Sequence, residues 1–85
     1  MIRKQLTMIY KEMSDHGTIL DTKCFNTWKE LHMHLFENGL YPEFQVFDDG
    51  KPVLHYYAKY KLEWDSSVPG SVLFEIVNRH ASAQL

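Results

Sequence analysis

Cysteine, proline and glycine are scarce in this sequence, and long apolar runs are missing. A single cysteine, Cys24, stands among 85 residues. It has no partner for an internal disulfide, and zinc sites draw on several Cys or His at set spacings. No apolar stretch approaches the ~18 residues of a membrane span. The charged N-terminal segment is not followed by an unbroken apolar region of about seven residues, so no signal peptide is read there. The four glycines stand singly. Neither G-x-x-x-x-G-K nor G-x-G-x-x-G is present to cradle a phosphate, and no other catalytic motif is recognised. A basic excess is also missing, with nine Lys and Arg against eleven Asp and Glu. Proteins that bind nucleic acid by releasing counterions carry such an excess. Its absence counts against strong non-specific DNA binding but leaves room for a local basic patch.

What is present is an ordinary globular composition, 45% apolar and 24% charged. Surface scaling for a chain of this mass gives roughly 64% burial on folding, enough for one small core. Residues 1–85 therefore read as a single domain, with 79–85 a candidate disordered tail. The five histidines make net charge sensitive to pH between about 7 and 5.

The clearest element is a helix over 27–38. Thr27 followed by Glu30 fits a capping box. Trp28, Leu31 and Leu35 fall on one helical face. Asn38-Gly39 supplies the stop, Leu40 packs back on the last turn, and Pro42 prevents continuation. A hairpin follows: a strand over 43–47, a turn at 48–51 with Gly50 in a G1 bulge, and a long strand over 53–64. In that strand Leu54, Tyr56, Ala58, Tyr60, Leu62 and Trp64 should face the core. Val53, His55, Tyr57, Lys59, Lys61 and Glu63 should face water. Such a strand spans about 40 Å, against a domain diameter of roughly 31 Å. It must bend, coil or project, and a projecting edge would offer a route to a homodimer.

The segment 71–77 is β-rich and reads as a further strand, with Leu73, Ile76 and Val77 sharing a face in the helical alternative. The N-terminal third fits a helix through Ile2, Leu6, Ile9 and Met13, or a hairpin turning at Ser14-Asp15-His16-Gly17. The resemblance of Asp15-His16-Gly17 to Asp48-Asp49-Gly50 favours the hairpin. The expected core comprises Leu6, Ile9 or Tyr10, Ile19 or Leu20, Trp28, Leu31, Leu35, Phe44, Val46, Tyr56, Tyr60, Leu62, Trp64, Phe74 and Ile76. The expected fold is α+β, a small two-layer domain with an antiparallel β-sheet of three to five strands on one main helix.

Few residues point to chemistry. His32 and His34 form an H-x-H pair, but helical spacing sets them about 200° apart, which is wrong for chelation. His32 belongs at the core boundary and His34 in solvent, so no metal is expected. Cys24 lacks an orienting acid or a following glycine loop and reads as a small buried hydrophobe. No cofactor and no catalytic residue is assigned. Met33, Phe36, Tyr41 and Phe47 lie off the core stripes, and Met and aromatic residues are enriched at protein interfaces. They are the candidate partner-binding residues of a non-enzymatic module that docks on another protein as a small inhibitor or regulator. Its size and aromatic content suit a cytoplasmic accessory protein, including a virus-encoded one. The alternative is a single-strand nucleic-acid binder that stacks bases on His55 and Tyr57 and holds phosphates with Lys59 and Lys61. Neither reading involves a membrane.

Overall fold

A computed structural model describes residues 5–57 and 61–83. Two strands come first, β1 (Leu6–Ser14) and β2 (Gly17–Phe25), then α1 (Trp28–Asn38). Three more follow, β3 (Glu43–Asp48), β4 (Lys51–Tyr57) and β5 (Lys61–Trp64), and the chain ends on α2 (Gly70–Ala83). The strands form one sheet in the order β2-β1-β3-β4-β5, antiparallel throughout. This is the expected α+β architecture, with the N-terminal third folded as the hairpin.

Local chemistry explains α1. The Thr27 hydroxyl accepts from the Glu30 amide at 3.2 Å, as an N-cap should. The Glu30 carboxylate reaches back to the Asn26 amide at 2.9 Å, one residue earlier than a standard capping box. At the other end Gly39, at φ 80, donates its amide to the Leu35 carbonyl at 2.8 Å. Leu31 and Leu35 are buried, and Leu40 packs against the same cluster.

The turn between β3 and β4 differs from the expected G1 bulge. Asp49 and Gly50 both have positive φ, 53° and 80°, which is the two-residue type I′ turn. The bulge lies further along the strand. Val46 is opposite Leu54 but Phe47 is opposite Pro52, so Val53 is the extra residue. The bulge breaks the strict alternation, and Val53 and Leu54 are both buried. Val53 was expected to face water.

The long strand over 53–64 is corrected. Tyr57 lies opposite Lys61, Tyr56 opposite Leu62 and Leu54 opposite Trp64. The chain has reversed direction, and β4 and β5 are the arms of a third hairpin. Ala58, Lys59 and Tyr60 lie outside the described residues. The projecting edge expected here is gone, because β4 has a neighbour on each side. The route to a homodimer through one long strand goes with it.

The strand expected over 71–77 is a helix. The Pro69 carbonyl accepts from the Val72 and Leu73 amides at 3.1 and 3.0 Å, starting α2. The helix continues to Ala83, through residues read as tail. Val72 and Ile76, one turn apart, are buried, whereas Phe74 is 67% exposed.

Both helices share one core on one face of the sheet. It joins Leu31, Leu35, Val68, Val72 and Ile76 to Leu6, Met8, Phe25, Phe44, Val46, Val53, Leu54 and Tyr56. Tyr10, Trp28 and Leu62 pack at its margin. Neither Ile19 nor Leu20, the alternatives for one core position, is buried, and the expected core residues Phe74 and Trp64 are exposed, the last on the short edge strand β5. Met8, Phe25 and Val68 join a core that the sequence had not assigned them.

The opposite edge is longer. β3 accompanies β1 only as far as Lys11, which faces Glu43. Among the described residues, 12–14 pair with β2 alone, so the hairpin runs on as a two-stranded ribbon. Along β2 only Phe25 is buried.

Candidate functional site

The outer side of α1 follows from its inner side. Leu31 and Leu35 turn to the core, so Met33 and Phe36, three residues apart, turn outward together. Both are exposed, Phe36 by 58%. Phe36 is nonetheless held. Arg79 of α2 donates from Nη2 to the Phe36 carbonyl at 2.9 Å. Its guanidinium lies 5.1 Å from the centre of the Phe36 ring, within cation–π range. Its Nε donates to Glu75 Oε1 at 3.1 Å. The last carbonyls of a helix lack intrahelical donors and carry partial negative charge. α1 has no basic residue in its last turn, and Arg79 supplies one from the other helix. Phe74 and Val77 of α2 are also exposed.

The structure does not gather the four candidate docking residues onto one surface. Met33 and Phe36 share the α1 face. Tyr41 turns inward, where its ring stacks on Tyr10 at 4.2 Å and its hydroxyl meets His34 Nε2. Asn38 Nδ2 approaches His34 Nδ1 at 3.3 Å. Nδ1 therefore accepts, and Nε2–H donates to the Tyr41 oxygen. Burial, followed by the Lys23 charge, lowers the His34 pKa, and Glu37 partly opposes them. Burial above all raises the Tyr41 hydroxyl. His34, expected in solvent, is thus a part-buried member of an aromatic cluster. Phe47 belongs to β3 opposite Thr7 and Pro52. Its place in the pleat, one residue on from buried Val46, puts it on the face away from the helices.

That uncovered face carries the alternative site. His55 and Tyr57 lie with ring centroids 4.0 Å apart, and Lys61 is placed opposite Tyr57. Lys59 lies outside the described residues. Beside them, Glu43 takes Lys11 Nζ at 2.9 Å on one oxygen and His55 Nε2 at 3.1 Å on the other. Hydrogen bonds from Lys11 and then His55 hold the Glu43 carboxyl below its ordinary value of 4.5. Next to His55 a shallow cavity of about 330 Å³ is lined by Glu63, Trp64 and Asp65, among others. Acid groups therefore stand beside the aromatic pair, and one of them, Glu43, engages Lys11 and His55.

The Glu43 network makes stability depend on pH. A folded-state pKa below the unfolded one means that the unfolded chain binds more protons. The stabilisation is complete above about pH 4.5 and fades as pH falls through the lowered folded value. In the Glu43→Gln variant the urea midpoint should fall less steeply between about pH 6 and pH 3 than in the wild type. Parallel acid limbs would show that Glu43 makes no such contribution.

Cys24, expected to be buried, is exposed on β2, with Sγ 4.0 Å from Thr7 Oγ1. His32 sits at the core boundary as expected, and its Nε2 is buried without a hydrogen-bond partner. Among the described residues no group of three or more His, Cys, Asp and Glu is placed to hold a metal. No described helix is long and apolar enough to cross a membrane.

The chain matches no protein-family model, no curated protein and no solved structure. Arg79 and Glu75 are the site residues that the sequence left unassigned. Their one local signal is the i, i+4 Glu–Arg spacing, which has meaning only once 70–83 is taken as helical.

Proposed function

We propose that the protein is a small non-enzymatic binding module, an inhibitor or regulator, that docks on another protein through the outer face of α1. One observation carries this reading: Phe36 is largely exposed and yet held by Arg79 from below. Leaving a large aromatic ring in water forgoes its burial energy, about 1.5–3 kcal/mol for a side chain of this kind. Ordering the ring in advance lowers the conformational cost of binding. Aromatic and Arg side chains also dominate binding energy at interfaces. Met33 on the same face offers an adaptable apolar flank. The free thiol of Cys24 fits a reducing compartment such as the cytoplasm.

An affinity capture from source extract with wild type, Phe36→Ala and Arg79→Ala, with and without nuclease, tests this. One protein should be enriched by the wild type in both conditions, and Phe36→Ala should weaken its capture at least tenfold. Arg79→Ala should weaken it less, because the ring remains but is no longer held. Partners that vanish with nuclease would overturn the reading and move the function to His55 and Tyr57. Capture that survives Phe36→Ala unchanged would overturn the assigned face.

A further inference from the structure

Among the described residues, the N-terminal hairpin ends the sheet on an uncovered strand. β2 is nine residues long, and Leu20 on it is 66% exposed. In an antiparallel pair, alternate residues turn both backbone groups toward the same neighbour. The two-residue turn closes on Ser14 opposite Gly17, so odd positions of β2 hydrogen-bond to β1. Leu20, Thr22 and Cys24 turn their amides and carbonyls to the free edge. One of those amides has a substitute partner: Asp21 Oδ1 accepts from the Thr22 N–H at 2.8 Å.

We propose that β2 pairs antiparallel with β2 of a second copy about a two-fold axis at Thr22, joining the two sheets into one. Side-chain chemistry selects this register. An axis at Asp21 would set two carboxylates face to face and Ile19 against Lys23. An axis at Leu20 would set Asp21 against Ile19 and Lys23 against Gly17. An axis at Lys23 would oppose two ammonium groups. An axis at Thr22 sets Asp21 against Lys23 twice, Leu20 against Cys24 twice and Ile19 against Phe25 twice. Opposed pairs of these kinds each stabilise a sheet, and like charges destabilise it. The pairing adds about six main-chain hydrogen bonds, two for each opposed pair of edge-facing residues. In the dimer the Thr22 amide passes from Asp21 to the partner carbonyl, and the released Oδ1 faces Lys23 of the second copy while Oδ2 keeps the Tyr10 hydroxyl at 3.4 Å.

Charged residues on an edge strand ordinarily discourage indiscriminate pairing. Here the two charges have opposite sign and stand two residues apart, so they admit another copy in one register. The α1 face takes no part, so docking and dimerisation can fail independently.

Light scattering across a concentration series tests the proposal. Wild type should pass from the mass of one chain to that of two. Asp21→Lys alone and Lys23→Asp alone should stay at one chain, and the double exchange D21K/K23D should restore two. Air oxidation tests the register in a Cys24→Ser background. Opposed Cα atoms in a hydrogen-bonded pair lie about 5.5 Å apart, within disulfide range. Thr22→Cys should therefore give a linked dimer on a non-reducing gel, and Leu20→Cys should not. A wild type that stays at one chain up to its solubility limit would overturn the proposal. So would a double exchange that fails to rescue, or linkage at position 20 in place of 22.

Discussion

Phe44→Ala is expected to cost about 3–5 kcal/mol, the range for removing a buried aromatic ring. Phe44 is 1% exposed and lies on β3, with Tyr10 opposite on β1 and Tyr56 opposite on β4. Its ring stacks on Tyr56 at 5.2 Å. Both strand neighbours are themselves flanked by other strands, so little can relax into the space. A chain of 85 residues has roughly 4–13 kcal/mol of stability in total. The variant should lose roughly a quarter of that or more and bring the least stable case to the edge of unfolding. Urea unfolding should show a much lower midpoint at an unchanged slope. A loss below about 1 kcal/mol would mean that the ring is not enclosed as described.

The second large effect is a contrast between two neighbours in α2. Ile76→Ala should cost about 2–5 kcal/mol, since Ile76 is 1% exposed. Phe74→Ala removes a larger side chain and should change stability by less than about 0.5 kcal/mol, because its ring is in solvent. Were this segment a strand, Val72, Phe74 and Ile76 would share a face, and the two substitutions would cost alike. Thermal unfolding of both variants therefore reads the helical period directly. Equal losses would contradict the helix.

The parts that sequence made legible are those whose determinants lie close together. α1 carries its start, its stripe and its stop within about a dozen residues. The β3–β4 turn is marked by Asp49-Gly50, a pair suited to two successive positive φ angles. The reversal after β4 was illegible for a specific reason. Tyr57 and Lys61, four residues apart, are opposed, so odd positions stay opposite odd ones on both sides of the turn. One long strand and a hairpin then give the same alternating pattern, and Ala58-Lys59-Tyr60 supplies no Gly, Pro, Asn or Asp to mark the break. The segment 71–77 failed otherwise: its Val, Phe and Ile favour strand locally, and packing on the sheet overrode that preference. Val53 was misplaced because a bulge leaves no mark in a run of apolar residues.

The candidate site divides along the same line. Exposure of Met33 and Phe36 follows from the period of α1 and the inward turn of Leu31 and Leu35. The hold on Phe36 does not, since Arg79 comes from 43 residues away. Tyr41 lies off the helical stripe, and its place against Tyr10 and His34 depends on how β1 and α1 meet. The free edge of β2 was likewise hidden. Leu20 was expected inside, and it is exposed because it lies opposite Lys11 on the edge strand, on the face away from the helices.

The order β2-β1-β3-β4-β5 has a consequence for synthesis. Of these five strands the earliest made, β1, is an interior strand, and its second neighbour is β3, made only after the whole of α1. Until β3 arrives, the nascent hairpin has two open edges, and Leu6 and Met8 lack the strand that will flank them. A chain stalled or released between α1 and β3 would expose both edges and this apolar surface to other chains. Completion of β3 closes the inner edge permanently and leaves the outer edge of β2 as the long one still open to a partner.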